Sequence, residues 1–337
     1  MVPGFHIGAL DIRPGLVLAP MAGVTESSFR QLMRECNPGT LGLVVSEFIS
    51  IEGLTRSDLR SHAMLRYVAA ERPLAIQIFG SDIDRMAEAA ALVQAAGADA
   101  VDINCGCPVP KVVRRGGGAE LMRAPAHLER LLRAVRRELS VPLTLKIRTG
   151  WDAESINCVE IARRAEDAGV AMVTVHGRTR QQAYHGLADW QQIGLVKQAV
   201  SIPVVGSGDV VSLESARERM LAGGVDGLAI GRGALADPWI FSRLARAFGG
   251  ASPAGGAFGS VPASRREVLE RYAELLAALH PERTVAARLR MLATSLLRGF
   301  AGAAALRQRI GTTRGSGELL DVLHGAPLPA VHGALAA

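Results

Sequence analysis

Ala100-Val101-Asp102-Ile103-Asn104-Cys105-Gly106-Cys107-Pro108 reads as a strand that stops abruptly at a loop. Val101, Ile103 and Cys105 alternate with Asp102 and Asn104, the period of two expected of a strand. Pro108 and Pro110 then remove backbone donors and argue against a helix. The run Gly116-Gly117-Gly118 permits sharp, mobile backbone. Cys107 is therefore a thiol mounted just past the end of a rigid element. Such loops are where reactive groups are commonly carried.

The same unit recurs along the chain. Short runs rich in branched residues predict strands at Leu16–Ala22, Leu43–Ser50, Leu74–Gly80, Ala100–Gly106, Leu143–Thr149, Met172–Arg178, Pro203–Asp209 and Gly227–Gly233. Amphipathic segments between them predict helices at Glu26–Glu35, Asp82–Ala96, Pro125–Glu138, Glu154–Ala168, Trp190–Ala199, Leu213–Leu221 and Pro238–Ala247. Arg56–Val68 has the least definite pattern. The recurrent segments 95–99, 167–171 and 222–226, with Gly97, Gly169 and Gly223-Gly224, sit where helix C-caps should precede the next strand. Eight strands alternating with helices define an α/β chain whose parallel sheet closes into a (β/α)8, or TIM, barrel.

A barrel of this kind needs about 250 residues, and the chain has 337. Residues 1–248 are assigned to the barrel. Gly249-Gly250-Ala251-Ser252-Pro253 opens a linker, 249–262. Apolar residues at helical spacing follow, Val268, Leu269, Tyr272, Leu275 and Leu276, then Val285, Leu289, Leu292 and Leu296. They predict a small C-terminal helical domain over 263–325, with a flexible tail at 326–337. No apolar run reaches the roughly 18 residues of a membrane span, and no secretory signal is evident. The expected location is the cytoplasm. Four cysteines, at 36, 105, 107 and 158, form no disulfide framework and no metal-ligand spacing, so no metal is expected.

The net charge is +6, and the chain from Gly250 onward holds ten arginines against six acids. A basic tail permits a nucleic-acid partner. Only three lysines occur, Lys111, Lys146 and Lys197, which makes the setting of each informative.

Strand parity sorts the polar residues. Leu143, Leu145 and Ile147 share one side of their strand and should meet the helices, so Lys146 points into the barrel. The same rule turns Gln77, Asn104 and His176 inward and Cys105 outward, into packing. One inward polar residue is ordinary. Four at the C-terminal ends of the strands, one of them a lysine costly to bury, mark the place where barrel active sites are built. The last two strands end in Gly206-Ser207-Gly208-Asp209 and Gly231-Arg232-Gly233. Their glycines let backbone N–H groups approach a phosphate, and Arg232 adds charge. The site suits a phosphorylated cofactor across the barrel mouth, with FMN the natural candidate. Cys107, with an unperturbed thiol pKa of about 8.5, suits a general acid. A nucleophilic role remains the alternative.

These motifs together resemble the tRNA-dihydrouridine synthases. The resemblance rests on Ala19-Pro20-Met21-Ala22-Gly23-Val24-Thr25, Gln77-Ile78-Phe79-Gly80, Asp102 to Pro108, Lys146 to Trp151, His176 to Arg180 and Gly231-Arg232-Gly233. Arg178 to Trp190 is most similar to the bacterial DusB-like branch. The resemblance covers about residues 14 to 247 and is looser beyond. It implies an FMN enzyme that reduces the C5–C6 double bond of a uridine in tRNA with electrons from NADPH. It implies flavin contacts from Pro20, Met21, Ala22, Gln77, Lys146, His176, Ser207, Gly208, Asp209, Gly231 and Arg232. It gives Cys107 the role of acid at C5 after hydride reaches C6, and places Asn104 and Arg178 beside the uracil. Ser207 departs from the family's usual asparagine. Two other readings stand beside it. One is a barrel reducing free pyrimidines, against which the basic tail argues. The other is a non-catalytic RNA-binding barrel, against which Cys107, Lys146 and His176 argue.

Overall fold

The computed structural model describes residues 3–249 and 261–328. Most of the expected linker and tail lies outside these residues. The chain opens with a hairpin, β1 (Phe5–Ile7) and β2 (Leu10–Ile12), that the alternation rule did not single out. Eight parallel staves follow: β3 (Leu16–Leu18), β4 (Leu43–Val45) extended by β5 (Ile49–Ser50), β6 (Leu74–Phe79), β7 (Ala100–Cys105), β8 (Leu143–Arg148), β9 (Met172–His176), β10 (Val204–Ser207) and β11 (Gly227–Ile230). β11 pairs with β3 and β4 with β6, so the sheet closes. The expected strand over 43–50 is thus interrupted. The ladder of β4 ends at Ser46, whose N–H donates to the Ala75 carbonyl at 3.0 Å while its hydroxyl accepts from the Gln77 N–H at 3.0 Å.

The outer helices are α1 (Ser27–Cys36), α2 (Ile51–Thr55), α3 (Leu59–Ala63), α4 (Ile83–Ala95), α5 (Pro110–Val113), α6 (Pro125–Glu138), α7 (Cys158–Asp167), α8 (Trp190–Ala199), α9 (Leu213–Gly223), α10 (Arg232–Ala236) and α11 (Ile240–Ala247). Gly97, Gly169 and Gly224 all have positive φ at the ends of helices, as expected of caps. Four more helices, α12 (Arg265–Ala277), α13 (Glu282–Leu296), α14 (Ala303–Gly311) and α15 (Ser316–His324), pack on one another and, through α12, on α1.

Two apolar layers follow from strand parity. Outward residues such as Val101, Ile103, Cys105, Leu143, Leu145 and Ile147 join the helices in one continuous core. Inward residues near the strand starts form a second cluster: Val17, Leu43, Ala75, Ala100, Met172, Val205 and Ala229. Phe5, Ile7 and Ile12 of the hairpin complete that cluster, so the hairpin stoppers the N-terminal end of the barrel. Each large side chain buried there contributes about 1.5–3 kcal/mol.

The segment after β7 differs from expectation. Pro110 does not prevent a helix. It occupies the first turn of α5, where a proline's missing N–H costs nothing. The glycines also serve packing. Gly116 and Gly118 have φ of 77° and 60°, and a Cβ on Gly118 would lie 2.7 Å from the Cys107 carbonyl oxygen. Only glycine lets this turn close against the thiol loop.

Candidate active site

A chain of hydrogen bonds runs across the barrel at the C-terminal end. The Thr144 hydroxyl donates to one Asp102 oxygen at 2.5 Å, and the Gln77 amide donates to the other at 2.5 Å. Asn104 Nδ2 donates to Gln77 Oε1 at 2.7 Å. Asn104 Oδ1 accepts from the N–H groups of Gly106 and Cys107 at 3.1 and 2.9 Å. Three adjacent strands therefore fix the backbone that carries Cys107. This is possible because Gln77 and Asp102 are register partners, as are Asp102 and Thr144. Asp102 and Thr144 were not among the expected site residues, although parity already turned Asp102 inward.

Cys107 is buried, and burial raises its thiol pKa; Arg148 and Lys146 pull the other way. The group is thus a protonated thiol with cations at hand to receive the thiolate. Cys105, two residues earlier, is sealed among the outer core residues.

Lys146 lies between these groups and His176. Burial lowers its pKa to about 8, helped by Arg148 and opposed by Asp102. Its Nζ enters no ion pair among the described residues. The pKa of His176 falls well below its usual value, by burial first and then by Lys146, Arg148, Arg178 and Arg232. The imidazole is accordingly neutral, able to donate from one nitrogen and accept at the other. An ammonium outside any ion pair among the described residues and a histidine kept neutral by burial and by four nearby cations describe a cavity suited to an electron-rich or anionic guest.

Arg178 is buried and largely claimed by the protein. Its Nη2 lies 2.7 Å from both Asp209 oxygens and from the Gly186 carbonyl. Its Nε reaches the His185 carbonyl at 3.2 Å, and Nη1 lies 3.5 Å from His176 Nε2. It clamps the 185–188 loop to the end of β10. Asp209 adopts φ 55°, and Gly208 φ 128°, where a Cβ would stand 2.6 Å from that of Ala188. Arg232 Nη2 is 3.6 Å from Asp209, and its guanidinium lies 4.7 Å above the Tyr184 ring. Tyr184 also faces Arg148 and stands edge-on to His176 at 6.5 Å. Nothing in the sequence marked Tyr184 as part of the site beyond its place in a motif, because it sits on a loop without periodicity.

Across the mouth, Met21 rests on Gly231, where a Cβ would come 3.4 Å from its sulfur. The 20–25 turn is pinned by Thr25, whose hydroxyl accepts from the Met21 N–H at 3.0 Å, and by Glu47, which accepts from the Gly23 N–H at 2.7 Å. Pro20 and Met21 are half-buried and Ala22 is exposed. Ser207 is buried at the end of β10, in register with His176 and Ala229. The residues expected from the sequence thus converge on one mouth, with Asn104 and Arg178 bonded chiefly to protein.

Fold and site define a TIM barrel whose mouth gathers a buried thiol, a neutral histidine and several cations. The chain matches the dihydrouridine synthase family over residues 17–327, and it belongs to that family, whose members are flavin-dependent oxidoreductases. It is 44% identical over 250 residues, 73% of its length and 76% of the relative's, to a probable tRNA-dihydrouridine synthase of Rhodobacter capsulatus. It is 43% identical over 239 residues, 71% of its length and 70% of the relative's, to tRNA-dihydrouridine synthase B of Pseudomonas syringae. Among solved structures, a 2-naphthoyl-CoA reductase aligns with TM-score 0.55 and 15% identity over 72% of this chain, which spans about half (52%) of that longer chain. That likeness speaks for the fold alone. No helix of the described residues is long and apolar enough to cross a membrane, and those residues hold no cluster suited to a metal ion.

Proposed function

We propose that this protein is an FMN-dependent tRNA-dihydrouridine synthase that takes electrons from NADPH and reduces the C5–C6 bond of a uridine. The observation that carries the reading is the protonated thiol of Cys107, held by Asn104 beside the unpaired Lys146. Pro20, Met21 and Ala22 would border the flavin with Gln77, Lys146 and His176. Ser207, Gly208, Asp209, Gly231 and Arg232 would hold its ribityl and phosphate end, where the first N–H groups of α10 have no partner within the helix. The donor set fits: it is rich in cations and N–H groups. When bound, the flavin supplies the hydride that goes to C6.

The protein's own part is proton delivery and placement. Cys107 gives its proton to C5, and Arg148 and Lys146 stabilise the thiolate left behind, which solvent protons then restore. The amide hydrogen of Asn104 not given to Gln77, and Nη1 of Arg178, border the uracil. The uridine must leave its stack to reach this buried acid.

The helices of residues 263–325 act as the RNA-holding domain. Nine of their ten arginines divide into two sets. Arg271 pairs with Glu35, Arg288 with Glu26, and Arg266, Arg290 and Arg307 donate to backbone carbonyls. Arg283, Arg298, Arg309 and Arg314 stay exposed, and these suit phosphates. A tRNA substrate and NADPH together imply work in the cytoplasm.

The test is to load the purified protein with FMN and supply NADPH and tRNA from a strain deleted for the gene. Yellow protein and new dihydrouridine are expected. Protein that neither takes up FMN nor forms dihydrouridine would sink the proposal.

A further inference from the structure

We infer that Glu26 is a positioning residue that fixes the angle between the helical bundle and the 20–25 turn at the barrel mouth. The inference rests on the reading above, in which the bundle holds RNA and the turn borders the flavin.

Glu26 follows that turn directly and caps α1. Its two oxygens accept from the N–H groups of Phe29 and Ser28 at 3.1 and 2.9 Å. Three bundle residues close on the same carboxylate. Tyr272 of α12 donates its hydroxyl to Oε1 at 3.4 Å, and Nη1 of Arg288, on α13, lies 3.3 Å from that oxygen. His280, from the turn between those helices, stands 3.4 Å from Oε2. The Ser28 hydroxyl adds a bond to the Leu275 carbonyl at 3.1 Å. On the barrel side, Glu47 holds the turn, accepting from Gly23 and donating its own N–H to the Thr25 carbonyl at 3.1 Å.

This contact differs from a second ion pair between bundle and barrel, that of Arg271 and Glu35. Arg271 and Glu35 meet at the far end of α1, with the Arg271 side chain 41% exposed. The Arg288 side chain is 20% exposed, and both glutamates are buried. Arg288 Nη1 is buried and makes no hydrogen bond of good geometry, so Glu26 is its counter-charge. A buried cation deprived of its partner is strongly disfavoured, which makes the joint stiff. Stiffness matters because a misplacement of about 1 Å at a reacting centre costs on the order of a hundredfold in rate.

The test uses the FMN-loaded full chain with Arg288→Met, Arg288→Lys and Glu26→Gln. For Arg288→Met, flavin reduction by NADPH should stay within twofold. The KM for tRNA should stay within threefold while kcat for dihydrouridine falls tenfold or more. Arg288→Lys should recover most of the loss. Glu26→Gln combined with Arg288→Met should be no worse than the poorer single variant. Hydrogen exchange in residues 20–29 should quicken in Arg288→Met, a readout independent of RNA. Unchanged exchange, unchanged kcat, or a loss of flavin reduction in step with kcat would overturn the inference. If the wild type forms no dihydrouridine, the functional reading fails, and the exchange measurement alone decides whether Glu26 is a joint.

Discussion

The two ends of the barrel are built by one rule from opposite residues. Every stave turns alternate side chains inward. At the N-terminal end these are Val17, Leu43, Ala75, Ala100, Met172, Val205 and Ala229, under a hairpin of Phe5, Ile7 and Ile12. At the other end the same faces present Gln77, Asp102, Asn104, Lys146, His176 and Ser207. A few ångströms along each strand separate a layer that stabilises from a layer that costs stability. Lys146 is the sharpest case, since burial opposes its charge. The lesson is that the first layer supports the second: an apolar floor lets the fold carry an unpaired cation above it.

Changes at the two ends should therefore separate activity from stability. The largest effect belongs to Cys107. Replacing it with alanine should lower dihydrouridine formation by about 10²–10⁴, the usual worth of a placed acid, while NADPH still reduces the flavin. Single-turnover assays with pre-reduced enzyme check this, and an unchanged rate would remove the acid role. At the floor, Ile12→Ala should cost about 2–5 kcal/mol of stability, seen in denaturant titration, with near-normal turnover by the molecules that stay folded. A parallel fall in turnover would mean the floor is not merely support.

Lys146→Met should invert that outcome, weakening flavin binding while raising the melting temperature of the flavin-free protein. The pH dependence has a definite sign. The folded pKa, about 8, lies below the ordinary 10.5, so the buried charge is a cost that is relieved as pH rises from 8 toward 10.5. Over that same range the flavin-free protein should gain stability and lose affinity for flavin. Flavin titrations at several pH values read this, and Lys146→Arg should abolish the inflection near 8. The smallest effect is expected from Thr144→Val, which leaves one Asp102 oxygen short of a donor at a cost of about 1–3 kcal/mol, with a modest loss of activity.

The eight staves and the inward set were legible because alternation is local: Leu143 to Arg148 declares its two faces without reference to any other residue. The short helix at Pro110 was not, since a proline bars a helix interior but not its first turn. Arg178 and Asn104 could be placed from their strands, but their partners could not. Asp209 lies 31 residues from Arg178, and Gln77 lies 27 from Asn104. Those bonds exist only once the barrel has closed. The basic tail was legible as a total, but composition does not say that Arg271 and Arg288 pair with Glu35 and Glu26 of the barrel.

The stoppered floor has a kinetic consequence. With Phe5, Ile7 and Ile12 filling one end, the barrel has a single doorway. In the proposed reaction, nicotinamide and uracil must both arrive through it and take turns there. Each should then act as a competitive inhibitor of the other's half-reaction. Saturating tRNA would slow flavin reduction, and excess dinucleotide would slow its reoxidation.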